Sequence, residues 1–382
     1  MLFWKLHFHT YATLMSRSGP FCFLLCIVLA TVSLGARAQQ QDELPRASPE
    51  SRGYSSALLK KVGADANRQV PNLGAFLVWK HDALIYEGYF HGFTKDSVFN
   101  IKSASKTVLS AITGAAIARG YLPDLDTPVL KILPEYGHSR HAAGMWFSAD
   151  NEVDDRIRQL LTMRELMTMQ TGLAWDDFGP LANAWCSSSD PVRLTLDIEY
   201  DTLPGTQFRY CSGGAHVFGV ALARLIGSDL WGFADSTLFK PAGMQLRRWN
   251  TDPMGRYIGG CDMYFTPQDM MRFGILYLNN GKVNGRQILP QSWIKESMSS
   301  HAVLKYWDVL PGANGYGYFW WRRKSHGNQV YVASGICGEL ICVVPDLAMV
   351  IVTACSTGEN AGRAEIKKLH LEMDKILAAA KL

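Results

Sequence analysis

The spacing of apolar and polar positions changes several times along this chain. Ser55 to Gln69 has helical periodicity. Ala75-Phe-Leu-Val-Trp79 and Ala83 to Tyr89 are two short apolar runs around a polar Lys80-His-Asp82, which predicts a hairpin. A short extended run, Val98-Phe-Asn-Ile101, gives way at Ser103 to a segment that is nearly all apolar or small from Ala104 to Arg119, with Gly120 placed to stop it. A helix apolar on all sides is a buried helix. From Leu122 to about Gly243 the pattern reads as helices and loops. Thr162-Met-Arg-Glu165 matches a capping box opening a short Met-rich helix that Gly172 closes, and His216 to Ile226 is a further helix stopped by Gly227.

Strand signals return in the last third. They are Tyr316 to Trp321, Gln329 to Ala333, Glu339 to Val344 and Met349 to Ala354, separated by turns such as Pro345-Asp346. An amphipathic helix follows from Ala361 to Leu382. Two strands early and several late, with helices between, predict an α/β (α+β) fold. One antiparallel sheet is built from both chain ends and flanked by terminal helices, with a mainly helical insertion within it. The expected division is residues 53–103 and 244–382 for the sheet domain and 104–243 for the helical one.

The first forty residues are different in kind. Lys5 and Arg17 precede the apolar run Phe21 to Ala30, and Ala36-Arg-Ala38 follows. This reads as a signal peptide over residues 1–38 with cleavage after Ala38, then a polar linker over 39–52, and hence a periplasmic or secreted protein. The run is short for a membrane span, so no stable span is expected after cleavage. An uncleaved anchor is the alternative. Neither Cys22 nor Cys26 sits where a lipid-attachment site would need it, and Met15 is an alternative start. The formal charge of +4 falls to about +1 once Lys5, Arg17 and Arg37 are removed, which gives no reason to expect a nucleic-acid partner. With 382 residues and 48% apolar content the chain can bury a large core. Six cysteines follow the signal segment: Cys186, Cys211, Cys261, Cys337, Cys342 and Cys355. Fifteen full pairings are possible in an oxidising compartment, and Cys342 and Cys355, in strand-like apolar runs, also fit as small buried hydrophobes.

Chemistry enters at Ser103-Ala-Ser-Lys106. Three residues apart at a helix start, the hydroxyl and the amine share one helix face beside the free backbone N–H groups, as a lysine-assisted serine nucleophile requires. Lys106 is a charge in an apolar helix, and snorkelling to solvent is the competing reading. A second match, Ser292-Trp-Ile-Lys295, reads as the first turn of a surface helix, with Ser292 capping and Lys295 solvated. A proton acceptor for the serine is offered either by Lys106 in neutral form or by Tyr210 as phenolate. Tyr210 lies in the Gly-rich Phe208-Arg-Tyr-Cys-Ser212-Gly-Gly just before an apolar helix. The third part is the strand edge Ala333-Ser334-Gly335-Ile336 with Gly338, where a backbone N–H facing a developing oxyanion would join that of Ser103. A core tyrosine and an ordinary strand bulge are the competing readings of these two segments. His138 and His141 have metal-like spacing but no clear third ligand, so no metal or organic cofactor is expected. Asp176-Asp177 reads as capping or solvated carboxylates, and the aromatics of Tyr316 to Trp321 as core or pocket lining.

Taken together, Ser103-x-x-Lys106, Tyr210-x-Ser212 and the strand-edge Gly335 resemble the serine β-lactamase-related family. That family includes class C β-lactamases, penicillin-binding D,D-peptidases, and esterases and 6-aminohexanoate-dimer hydrolases built like them. Supporting stretches include Leu166 to Leu173, Gly259 to Met270 and Arg272 to Leu278. The resemblance implies that Ser103 is the acylated nucleophile, that Lys106 and Tyr210 exchange its proton, and that Ile336 N–H and Ser103 N–H form the oxyanion hole, with Ser212, Ser334 and Gly335 beside the substrate. It leaves open which of Lys106 and Tyr210 is the base. This chain departs from the drug-hydrolysing members at Ser212, where many have Asn, and at Ala333-Ser-Gly335, where they have Lys-Thr-Gly. The absent ammonium would hold a substrate carboxylate. A small-molecule ester or amide is therefore the expected substrate. A β-lactamase or D,D-peptidase, and a non-catalytic binding protein of the same fold, are the alternatives.

Overall fold

The computed structural model describes residues 43–138, 151–227, 229–304, 310–358 and 362–380. The expected signal segment and His141 lie outside the described residues. Ser55 caps helix α1 (Ser56–Gln69) by accepting from the Leu58 N–H. The hairpin follows as β1 (Leu73–Lys80) and β2 (Ala83–Tyr89). Next come the short β3 (Phe99–Asn100) and the buried helix α2 (Ala104–Ile117). The middle is helical, with the capping box at Thr162 present, and ends in α3 (Ser212–Ile226), where Gly227 adopts the left-handed conformation. Strands β4 (Arg248–Trp249) and β5 (Met263–Phe265) pair with β3 in a small sheet of order β3-β5-β4. Helices α4 (Pro267–Leu278) and α5 (Gln291–Ser297) precede the late strands. These are β6 (Ala313–Tyr316), β7 (Trp321–Ser325), β8 (Asn328–Ser334), β9 (Leu340–Val344) and β10 (Met349–Cys355), followed by α6 (Arg363–Ala378).

The main sheet is seven-stranded in the order β2-β1-β10-β9-β8-β7-β6. Its pairings are antiparallel, and the early hairpin joins the last strand through pairs such as Phe76↔Thr353 and Val78↔Ile351. Every residue of β1, β9 and β10 is buried, which requires cover on both faces. Strand alternation shows how the cover is divided. Gly274 of α4 packs against Ile341 and Val350, whereas the neighbouring Cys342 meets Met373 of α6. Successive residues point to opposite faces, so α4 and α6 cover opposite sides. Each fully buried Val, Leu or Ile in these strands contributes roughly 1.5–3 kcal/mol.

Four local expectations differ from the structure. The aromatic run Tyr316 to Trp321 is not one strand. It breaks between β6 and β7, where Phe319 takes φ 58° and Gly317 passes so close to the Ser297 carbonyl that a Cβ would lie 2.2 Å from it. The Met-rich helix ends at Met167, and Gly172, at φ 77°, makes a later turn against Thr202 rather than the helix stop. Helix α5 is entered through Pro290, and Ser292 sits within its first turn without capping it. The last helix begins at Arg363 and ends at Ala378.

Candidate active site

Ser103 stands at the junction of β3 and α2, and its approach is locally strained. Lys102 adopts φ 48°, a conformation L residues avoid. Its N–H donates to Asn100 Oδ1 at 2.9 Å, while Asn100 Nδ2 donates to Asp262 Oδ1 at 2.7 Å. The small sheet therefore fixes the sharp entry. Ser103 itself has helical φ and ψ and no side-chain capping bond, so its hydroxyl is not spent on the helix end. Two side chains one turn further on anchor the helix. Ser105 Oγ accepts from the Met263 N–H, and Thr107 Oγ1 donates to the Phe319 carbonyl.

Lys106 does not snorkel; it is 1% exposed. Its ammonium donates to Ser103 Oγ at 3.0 Å, to Ser212 Oγ at 3.0 Å and to the Gly260 carbonyl at 2.6 Å. The Tyr210 ring centroid lies 4.8 Å from Nζ, and the phenol hydrogen-bonds with both Ser103 and Lys106. The ring is held by stacking on Trp321 at 5.5 Å. Burial pushes the Lys106 pKa down, but the Tyr210 and Asp177 oxygens beside it reverse the sign and hold it above its ordinary value. Burial raises the Tyr210 pKa, and Asp177 adds to this against the pull of Lys106. The resting pair is thus a charged lysine beside a neutral phenol, and the first proton it gives up is lost by the coupled pair rather than by either group alone.

The aspartate pair divides. Asp176 is exposed and accepts from the Phe178 N–H, as a solvated loop carboxylate does. Asp177 instead turns inward. It accepts from the Ser212 N–H at 2.8 Å, from Ser212 Oγ at 2.6 Å and from Trp175 Nε1. Asp177 is a member of the constellation that sequence reasoning passed over. Ser212 carried a signal of its own, but nothing local joined Asp177 to it.

Close backbone approach supplies the remaining Lys106 acceptor. A Cβ on Gly259 would lie 2.4 Å from the Ala215 carbonyl, and one on Gly260 would lie 2.8 Å from that of Ser212. Buried His216 holds this segment. Its Nδ1 accepts from the Gly259 N–H at 3.3 Å, which leaves Nε2–H to donate to Asp252 at 3.0 Å. Burial lowers the His216 pKa and keeps the imidazole neutral in that tautomer.

Ser103 and Tyr210 open onto a cavity of about 110 Å³ whose far wall is Ser334, Gly335 and Ile336. Trp321 lines it too, whereas Tyr316, Tyr318, Phe319 and Trp320 are core. Asp177 and Arg363 are its charged lining residues, and the Arg363 guanidinium stacks on Phe178 at 4.5 Å. The structure thus gathers Ser103, Lys106, Tyr210, Ser212, Ser334, Gly335 and Ile336 around one space. His138 is not part of it. Among the described residues no cluster of His, Cys, Asp or Glu is arranged to hold a metal, and the six described cysteines are thiols.

A nucleophile-like serine beside a buried lysine and tyrosine, on a sheet built from both chain ends, is the arrangement of a β-lactamase-type fold. The model of the beta-lactamase family matches residues 63–372, and the chain belongs to that family. It is 23% identical over 305 residues to the 6-aminohexanoate-dimer hydrolase of Paenarthrobacter ureafaciens, covering 74% of this chain and 72% of that one. Among solved structures it is similar to a candidate 6-aminohexanoate-dimer hydrolase from Bacillus anthracis (TM-score 0.66, 21% identity, 89% of each chain). It is also similar to a D-stereospecific amidohydrolase from Streptomyces sp. (TM-score 0.60, 18% identity, 82% of this chain and 97% of that one).

Proposed function

We propose that the chain is an exported serine hydrolase that cleaves an ester or amide bond through an acyl-enzyme on Ser103. The observation that carries this is the fully buried Lys106 ammonium 3.0 Å from Ser103 Oγ, with the Tyr210 phenol bonded to both. Once the Lys106/Tyr210 pair has given up a proton to solvent, Ser103 Oγ attacks the substrate carbonyl as its own proton passes to the pair. The carbonyl oxygen takes up negative charge between the Ser103 and Ile336 N–H groups. Collapse of the tetrahedral intermediate expels the alkoxide or amine, which receives the proton from the pair. Water, losing its proton to the same pair, then releases the acid and restores Ser103. The substrate faces an apolar wall of Trp321, Leu310 and Ile366.

Incubation with p-nitrophenyl acetate and a fluorophosphonate probe tests the reading. The wild type is expected to turn over the ester and take one label. Ser103→Ala should lose both, and Tyr210→Phe should lose about 10²-fold or more in kcat while staying folded. Full activity and labelling in Ser103→Ala would overturn the proposal. A β-lactamase reading is favoured by one observation, Arg363 at the cavity, which offers a cation to a substrate carboxylate. Against it, the strand edge carries buried Ala333, and Lys324 on β7 is exposed. Efficient nitrocefin hydrolysis would reverse that ranking.

A further inference from the structure

Behind the cavity wall, Glu339 is a buried carboxyl that the mechanism above does not use. Its side chain has no exposed surface, and Oε1 has no hydrogen-bond partner among the described residues. Oε2 accepts from the Cys337 N–H at 3.1 Å. The turn closes on the same residue, since the Gly335 N–H donates to the Glu339 carbonyl at 2.7 Å and the Gly338 N–H to that of Gly335 at 3.2 Å. Gly335 is pressed between two oxygens. A Cβ there would lie 2.3 Å from Glu339 Oε2 and 2.6 Å from the carbonyl of Ile101, two residues before Ser103. The Glu339 carboxyl and the Ile101 carbonyl therefore crowd the same side of Gly335, and the carboxyl fixes the amide directly after Ile336.

We propose that Glu339 is the positioning residue of the oxyanion turn, its side chain holding Gly335 to Gly338 so that the Ile336 N–H faces the carbonyl that Ser103 attacks. This rests on the serine hydrolase reading above. Burial raises the Glu339 pKa to about 8, so the group is a neutral acid at neutral pH. A carboxylate there would set negative charge behind the site where the oxyanion forms, and that charge opposes the reaction. Among the described residues the titratable groups facing Glu339 are few. Lys102, before α2, pulls its pKa down; Cys337 of the turn and Cys355 of β10 lie beside it, with Glu365 of α6 near both thiols.

The test is the pH dependence of p-nitrophenyl acetate hydrolysis on both sides of pH 8 for the wild type, Glu339→Gln and Glu339→Leu, with thermal unfolding recorded for each. Relative to Glu339→Gln, the wild type should lose kcat as pH rises through about 8, set against the rise that deprotonation of the Lys106/Tyr210 pair gives both proteins. Glu339→Gln, which keeps an acceptor for the Cys337 N–H and cannot ionise, should match it at neutral pH and lack that decline. Glu339→Leu should lose about 10²-fold in kcat with little change in KM. A Gln profile superimposable on that of the wild type, or a folded Leu variant with wild-type kcat, would overturn the proposal. If Leu does not fold, the Gln profile decides. Failure of the wild type to be labelled by the fluorophosphonate would sink the hydrolase reading itself, and with it this role. A labelled wild type with unchanged variants would sink only Glu339.

Discussion

Two segments of this molecule carry the same four-residue pattern, Ser-x-x-Lys, and they have almost nothing else in common. At Ser292 to Lys295 both polar side chains are exposed on α5, while Trp293 and Ile294 between them are buried. At Ser103 to Lys106 the lysine is enclosed, and its ammonium meets three acceptors from α2, α3 and the Gly259-Gly260 segment. The local geometry is shared, since three residues on a helix bring two side chains to one face in either case. What differs is water. An exposed Ser and Lys exchange their bonds freely with solvent, whereas a buried ammonium requires fixed acceptors and leaves the serine oxygen a fixed partner.

The comparison breaks most directly at the lysines. Lys106→Ala is expected to lower kcat by about 10⁴-fold, the upper range for removing a positioned proton-transfer group. Loss of the donor also strands the Gly260 carbonyl, at a stability cost of about 1–3 kcal/mol. Lys295→Ala should leave activity at the wild-type level and stability within about 0.5 kcal/mol. Steady-state kinetics and thermal unfolding of the two variants side by side check both halves. Equal effects would mean that burial is not what separates the two motifs.

A smaller effect tests whether the acceptors matter as much as the burial. Gly260→Ala leaves every ionisable group in place but puts a Cβ 2.8 Å from the Ser212 carbonyl, so the backbone must shift and carry the Lys106 acceptor with it. Displacement on that scale is expected to cost about 10²-fold in kcat, with about 1–3 kcal/mol of destabilisation from overpacking. The matching change on the exposed helix has no counterpart, because Lys295 has no such enclosure. A Gly260→Ala variant with wild-type kcat would show that Ser103 and Ser212 alone suffice to orient the amine.

How much of this was legible in the chain follows from how far apart the interacting residues are. Helix α2, its glycine-marked end and the Ser103/Lys106 pairing are local, so a pattern of apolar residues and a spacing of three identify them. Strands β1, β2, β8, β9 and β10 were legible because each carries its own apolar run with β-branched or aromatic residues, whereas β6 and β7, with Ala-Asn-Gly-Tyr and Trp-Arg-Arg-Lys-Ser, carry none. Tyr210 became readable only through a resemblance, since nothing near it says that it stacks on Trp321. Asp177 reaches Ser212 across 35 positions, and the Gly260 carbonyl reaches Lys106 across 154. For such pairs sequence gives residue types without partners. Asp177 and Asp176 look alike in the chain and part company only when α3 is packed beside one of them. Glu339 reads as the polar start of a strand, and its burial under Gly335 is a property of the fold.

Asp177 sharpens the comparison at its finest grain, because it acts on the buried motif by charge and has no equivalent near Lys295. Its negative charge raises the pKa of Lys106 and of Tyr210 alike. Asp177→Asn keeps a carbonyl oxygen for the Ser212 N–H and Trp175 Nε1 while removing that charge. Both pKa values should then fall, so the coupled pair gives up its proton at lower pH. Ser103 can transfer its own proton only after that loss, and the acid limb of the kcat/KM profile should therefore move to lower pH. The maximal rate should change little, since the nucleophile, the pair and the oxyanion donors remain. A profile measured for both proteins separates this from a purely structural role. A loose Ser212 would lower the whole curve without moving it, whereas a shift of the acid limb to lower pH at a similar plateau is the signature of a charge that sets when the buried lysine and tyrosine become a base.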